Sequence, residues 1–339
     1  MRGVVFPGDR RAEVQDFENP VPGFGEVVVQ MKASGLCGSD LHLYRQTAEQ
    51  RAGNSTIPGH EPSGIVVALG PGVQHIQVGD RVSVYHYRGC GHCKQCLSGH
   101  IMWCPERRGY GGPIHGADAD LLLTDERNCL PLPDSLSFGA GALMACAAGT
   151  GFSSISKLGL SGQDTVAIFG QGPVGLCGLL VAKAMGARVI GIDPIPERRA
   201  LALDLGANEA IDPGEGDVLE HIRDLTRGEG TDCAFETSGS AAGQNGAVEC
   251  LRLGGRAVFV GFGARDKTLN SRQFIGRQLT LMGSFVLPIH RYYDMLDLIL
   301  THKLPLDEMV THRFSIEQAP EAFALFDQGH TGKVILEWT

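Results

Sequence analysis

Residues 165–175 read TVAIFGQGPVG: an apolar, β-branched run that passes directly into Gly170-Gln171-Gly172-Pro173-Val174-Gly175. A short apolar run closing on glycine, with a longer apolar stretch over 173–185 behind it, predicts a buried strand turning into a helix. A bare G-x-G-x-x-G carries little weight in a chain with 47 glycines. Its place between strand and helix is what gives it meaning. The first glycine permits the tight turn, the second lets a pyrophosphate approach the backbone, and the third lets helix and strand close together, with the phosphates at the helix N-terminus. Asp193 ends the next expected strand, 23 residues after Gly170, where an acidic side chain binds a ribose 2′-hydroxyl and repels a 2′-phosphate. The stretch therefore predicts a dinucleotide site with NAD favoured over NADP, and Arg198 and Arg199 close behind are the residues that oppose that preference.

Outward from this point the pattern alternates. Strands are expected at 165–169, 188–192, near 210, 232–236, 256–261 and 279–282, with helices over 173–185, 197–205, 218–225 and 242–253. Six strands joined by helical crossovers are the sequence form of a doubly wound parallel sheet. Upstream, 26–31, 64–69 and 81–85 read as short strands between glycine and proline turns, which predicts an all-β barrel or sandwich. Downstream lie an amphipathic helix over 292–302 and a closing strand over 333–337. A length of 339 residues fits two domains.

A formal charge of −9 with no long block of like charge argues against a nucleic-acid surface. No window approaches the roughly 18 apolar residues of a membrane span, and the first residues lack the apolar core of a signal peptide. The chain is thus expected to be soluble and cytoplasmic, where clustered cysteines are more often metal ligands than disulfides. Cys90, Cys93, Cys96 and Cys104 form C-x2-C-x2-C-x7-C among Gly89, Gly91 and Gly99. Four thiolates gathered by a glycine-rich loop suit a closed tetrahedral zinc site stapling a lobe at about 88–106. The competing iron–sulfur reading needs three residues, not seven, before the last cysteine. A second set is incomplete: Cys37 in Cys37-Gly38-Ser39-Asp40-Leu41-His42 and His60 in Gly59-His60-Glu61 each follow a turn. One thiolate and one imidazole need a third ligand, which Cys146 could supply, and would leave a coordination position open for chemistry. Taken singly, each of these has a plain alternative as a core thiol or a turn histidine. Cys129, Cys177, Cys233 and Cys250 read as core thiols.

With these residues in hand, the chain resembles the zinc-dependent medium-chain alcohol dehydrogenases nearly end to end. The resemblance runs through Cys37…Ser39…His42, Gly59-His60-Glu61, Gly79-Asp80-Arg81-Val82, the glycine fingerprint at 170–175 and Gly332-Lys333-Val334. It implies an α/β architecture: a GroES-like β-rich catalytic domain from residues 1–148 and 282–339, around a Rossmann NAD-binding domain at 149–281, with the active site between them. It implies two zinc ions per chain, a catalytic one on Cys37, His60 and Cys146 and a structural one on the four-cysteine lobe. Gly170, Gly172, Pro173, Val174, Gly175, Asp193 and Arg198 are then the NAD-binding residues. Glu61 matches an acidic residue that sits behind the zinc or swings in as an alternate ligand, and Ser39 and His42 match a proton relay that runs through the ribose hydroxyls. Tyr85 and His86 fall where the family lines its substrate pocket. The implied function is reversible hydride transfer between a primary or secondary alcohol and NAD. Polyol, diol or amino-alcohol oxidation of the sorbitol, butanediol or threonine type is the alternative, and a non-catalytic NAD-binding protein the more distant one. Cys146, where polyol relatives tend to carry glutamate, favours simple alcohols. The expected partners are a small alcohol or carbonyl substrate and further copies of the chain, a homotetramer before a dimer, with no nucleic acid and no membrane.

Overall fold

The computed structural model describes residues 1–263 and 271–339. It divides into one unit of Met1–Cys146, Pro288–Tyr292 and Val310–Thr339, and a second of Ala147–Leu287 with Tyr293–Met309.

The first unit is organised by one long strand, Glu26–Gly35 (EVVVQMKASG). Its β-branched run suits a pleated, two-sided surface, and it pairs antiparallel with Pro62–Leu69, Leu121–Asp125 and Lys333–Glu337. Val310–Phe314, Arg81–Val84 and Cys129–Pro131 complete a seven-stranded sheet. Val27, Val29 and Met31 alternate into a cluster with Val66, Val82, Val84 and Leu122. A second cluster forms where the hairpin Arg2–Gly8/Arg11–Asp16 meets the helices Asp40–Tyr44 and Ala319–Gln328, with the Phe6 ring edge-on to Phe323 at 4.8 Å. Ala319–Gln328 opens with proline in its first turn and stops at Gly329, whose φ of +83° no other residue type adopts as cheaply.

The second unit is a six-stranded parallel sheet in the order Glu209–Ile211, Arg188–Ile192, Thr165–Phe169, Thr231–Glu236, Leu251–Phe259, Thr280–Gly283. The direction of winding reverses between Thr165–Phe169 and Thr231–Glu236, and ligands of such sheets bind at the strand ends beside that point. The glycines behave as their positions demand. Gly170 has φ +96°, and a Cβ on Gly175 would stand 1.9 Å from the Gly170 carbonyl oxygen, so helix and strand can only close on glycine.

The expected strands and helices recur with shifted ends. The helix expected over 242–253 stops at Glu249, and the strand expected from 256 begins at Leu251. Gly254 and Gly255 lie inside this strand at a register irregularity, with Gly254 at φ +71°. The helices Phe138–Ala145, Ala147–Leu158 and Ala319–Gln328 had no counterpart in the sequence expectations. The first two are rich in Gly, Ala and Ser and are buried along almost their whole length, so no solvent-facing polar side marks a helical period. The small residues serve close packing: a Cβ on Gly151 would come within 2.8 Å of the Gly178 backbone nitrogen in the helix Pro173–Ala184. The C-terminal tail is also divided differently from the expected 282–339. Residues 282–287 and 293–309 group with the parallel-sheet unit, because Met295, Leu296, Ile299 and Met309 are buried and the Met309 sulfur meets Cys177 at 3.7 Å.

Candidate active site and cofactor site

Cys37 follows the end of the long strand Glu26–Gly35, His60 and Glu61 precede Pro62–Leu69, and Cys146 caps the helix Phe138–Ala145 with non-helical φ and ψ. The four side chains present ligand atoms all within 4.8 Å of one another. Asp40 organises the set. One of its carboxylate oxygens accepts the Cys37 backbone N–H at 2.9 Å, and the other lies 2.9 Å from Nδ1 of His60. That contact places the His60 proton on Nδ1 and leaves Nε2 as the donor atom, the arrangement common to metal-bound histidines. Burial works against a charged His60, but Asp40 and the Cys37 thiolate raise its pKa well above the ordinary value. Cys37 is held well below the usual thiol range by the Cys146 thiol, which hydrogen-bonds to it, and by His60, while burial resists. Cys146 is driven up by the same contact and by burial. A half-buried thiolate, a second, buried thiol and an oriented imidazole are the donor set of a soft divalent cation. Gly59 is required here: at φ +90°, its Cβ would lie 2.3 Å from a carboxylate oxygen of buried Asp118.

Glu61 is fully buried and forms an ion pair with Lys333, also fully buried, whose Nζ donates to the Leu36 carbonyl oxygen at 2.8 Å. Burial pushes Glu61 up to about 8 despite Lys333, which pulls it down. Ser39, immediately before the helix Asp40–Tyr44, sets its Oγ 3.4 Å from His60 Nε2, the metal-facing nitrogen, and His42 is exposed on that helix. His86 is buried between Tyr85 and Tyr87, with its ring 5.9 Å from that of His60.

Cys90, Cys93, Cys96 and Cys104 form a separate group of the same kind. Zinc–sulfur bonds of about 2.3 Å in a tetrahedron put sulfurs about 3.8 Å apart, and Cys90 and Cys96 sulfurs stand 4.0 Å apart. Backbone N–H groups of Cys93, Cys96 and Cys90 donate to the sulfurs of Cys90, Cys93 and Cys104 at 3.4, 3.5 and 3.4 Å. Gly89 is needed beside them, since a Cβ there would stand 2.6 Å from the Cys96 sulfur.

In the parallel-sheet unit a cavity of about 690 Å³ is lined by Gly170, Gly172, Asp193, Arg198, Thr237 and Ser238, with Ile195, Val218 and Leu219 supplying an apolar wall. Among the described residues only the Arg198 tip, 3.9 Å away, faces a Cβ on Gly172, which leaves the backbone there open to a phosphate. Asp193 is buried; one oxygen accepts the Gln171 N–H at 2.7 Å and the other the Ile195 N–H at 2.9 Å, and Arg198 stands 3.9 Å away. Pro173 and Val174 open the helix, and Gly175 contributes packing rather than cavity wall.

Two residues beside the site escaped the sequence reading as site residues. Asp40 had a signal, being an acidic residue three positions after a candidate thiolate. Lys333 appeared in the closing Gly-Lys-Val, but its pairing with a glutamate 272 positions earlier left no trace in the sequence.

The family model "Alcohol dehydrogenase GroES-like domain" matches residues 23–134, and "Zinc-binding dehydrogenase" matches 173–301. An uncharacterized zinc-type alcohol dehydrogenase-like protein of Escherichia coli, YphC, is 36% identical over 100% of this chain and 99% of its own. L-threonine 3-dehydrogenase of Pyrococcus horikoshii is 34% identical over 96% of this chain and 94% of its own. Among solved structures, alcohol dehydrogenase TADH from Thermus sp. ATN1 superposes with a TM-score of 0.91 at 31% identity, covering 99% of both chains. With likeness of this degree running from end to end over a chain that gathers thiols and an imidazole in one unit and builds a dinucleotide cavity in the other, the protein belongs to the zinc-dependent alcohol dehydrogenases and is an NAD-dependent oxidoreductase.

Proposed function

We propose that the enzyme interconverts a primary or secondary alcohol and its aldehyde or ketone, with a catalytic zinc on Cys37, His60 and Cys146 and a structural zinc on Cys90, Cys93, Cys96 and Cys104. The observation that carries this reading is the convergence of Cys37, His60 and Cys146 with the Asp40-oriented Nε2 forward. Two thiols and one imidazole leave a tetrahedral ion one position for substrate. When bound, zinc supplies a Lewis acid that polarises a hydroxyl or carbonyl oxygen, and NAD supplies the hydride acceptor. The chain's own residues do the rest. Ser39 Oγ, 3.4 Å from the metal-facing nitrogen, accepts the hydroxyl proton as it passes its own on towards the ribose hydroxyls, and exposed His42, three residues on, takes up that proton and hands it to solvent, a task suited to imidazole. Lys333 restrains Glu61 behind the ligands, from where its carboxylate can exchange as an alternate ligand. Asp193 holds the ribose, with Arg198 over the phosphate side of the same cavity.

Amino-alcohol oxidation is the second reading, supported by the likeness to an L-threonine 3-dehydrogenase. A homotetramer is supported by apolar side chains exposed on the parallel-sheet unit, Phe262 at 77% and Leu253 at 71% among them. A cytoplasmic setting is supported by ten free cysteines. No single helix among the described residues is long and apolar enough to cross a membrane. The test is the rise in NADH absorbance with a panel of alcohols, before and after metal chelation and zinc repletion. Activity that chelation abolishes and zinc restores supports the proposal; activity indifferent to chelation overturns it.

A further inference from the structure

We infer that the enzyme selects alcohols carrying a second hydrogen-bond donor on the neighbouring carbon, a vicinal hydroxyl or amine, and that Nε2 of His86 is the atom that reads it. The inference rests on the reaction proposed above and concerns the substrate class of that same site.

His86 is 4% exposed, stacked on Tyr85 at 5.2 Å and 20°, and tilted against Tyr87 at 4.6 Å. Three aromatic neighbours therefore fix its plane: Tyr85, Tyr87 and the His60 ring, edge-on at 5.9 Å. Its Nδ1 lies 2.6 Å from the carbonyl oxygen of Ala145, the residue before Cys146. A carbonyl oxygen only accepts, so Nδ1 carries the proton. No carboxylate contacts the ring among the described residues, and a buried imidazolium without a counter-charge is disfavoured. Nε2 is then a lone-pair acceptor held rigidly between the segments that carry Cys146 and His60. Among the described residues it has no hydrogen-bond donor.

An acceptor at a reaction site discriminates through what the substrate fails to offer. A monofunctional alcohol presents its one polar group to the metal position and leaves Nε2 facing carbon, an unpaired buried polar atom. A vicinal O–H or N–H satisfies it. Ring centroids only 5.9 Å apart suit a donor one carbon from the reacting oxygen and not one at the far end of a long chain. Sites built around a polar contact reject analogues lacking it far more strongly than apolar pockets reject a missing methylene. One neutral hydrogen bond, with the cost of leaving its partner bare, corresponds to roughly ten- to a hundredfold.

The experiment compares isopropanol, propylene glycol and isopropanolamine, which share one carbon skeleton and one secondary carbinol. It measures kcat/KM with NAD, and the dissociation constant of each from the zinc-loaded enzyme saturated with NADH by calorimetry, where no turnover occurs. The native enzyme is expected to favour the glycol or the amino alcohol over isopropanol at least tenfold in both measures. His86→Phe keeps the aromatic packing, removes the acceptor, and should collapse that ratio. His86→Gln, which retains an acceptor, should recover part of it. Zinc content and thermal midpoint of each variant establish that the fold is intact. Oxidation of all three alcohols with equal efficiency, or a ratio unmoved in folded His86→Phe, overturns the inference while leaving the reaction standing. Absence of any NAD-linked oxidation overturns the reaction itself.

Discussion

Replacing Asp193 by asparagine removes one charge from the nucleotide cavity at nearly constant volume, and the consequence can be worked from the contacts. The carboxylate accepts backbone N–H groups from Gln171 at 2.7 Å and Ile195 at 2.9 Å, so it is fixed in place, with Arg198 at 3.9 Å. A 2′-phosphate brings a charge of about −1.5 to −2. Against Asp193 at about 4 Å, each unit of that charge is repelled by ~4 kcal/mol at an effective dielectric of about 20. Arg198, at a similar distance, offsets more than half. A net penalty of ~2–3 kcal/mol remains, so the native enzyme should favour NAD over NADP by roughly 30- to 150-fold in kcat/KM. In Asp193→Asn the repulsion vanishes while Arg198 still attracts the phosphate, so the preference should fall to within a few-fold of unity or invert. The amide also sets a donor against one of the two backbone N–H groups, which should cost ~1–3 kcal/mol of stability and lower the thermal midpoint. The assay is steady-state kinetics with both cofactors at fixed saturating alcohol. A native enzyme that uses NADP as well as NAD, or a folded Asp193→Asn with an unchanged ratio, would refute the electrostatic argument.

Lys333→Met should destabilise the zinc-loaded protein by about 3 kcal/mol in denaturant, because Glu61 is left as an unpaired buried acid, and adding Glu61→Gln should restore most of the loss; equal stability of single and double variants would contradict this. Cys104→Ser should lower metal content from two zinc ions per chain to one, with the remaining ion still supporting some turnover; mass spectrometry under native conditions checks the count. Ser39→Ala should reduce turnover by about two to four orders of magnitude while zinc content and NAD affinity persist, and near-normal turnover would reject the proton route.

Legibility followed the length scale of the signal. The parallel-sheet unit was readable because most of its strands and helices declare themselves over five to twelve neighbouring residues, and because Gly170 and Gly175 answer local demands of a turn and a close helix contact. The helices Phe138–Ala145 and Ala147–Leu158 were not, since burial on all sides erases the polar face that makes a helix visible. The grouping of the tail has a related cause: Tyr292–His302 shows its apolar stripe in the sequence, but not which unit that stripe packs against.

Within the candidate site, spacing marked the four-cysteine lobe, whereas Cys37 and His60 formed only an incomplete set, which the family resemblance completed with Cys146. Their cooperation was decided only by the tertiary structure. Asp40 bridges the Cys37 backbone and the His60 ring, Lys333 meets Glu61 across 272 positions, and the carbonyl before Cys146 sets which nitrogen of His86 remains free. A residue's type and its neighbours in sequence determine what chemistry it can perform. Its protonation, tautomer and charge depend on groups that packing alone delivers, because burial removes the water that would otherwise make all such environments alike.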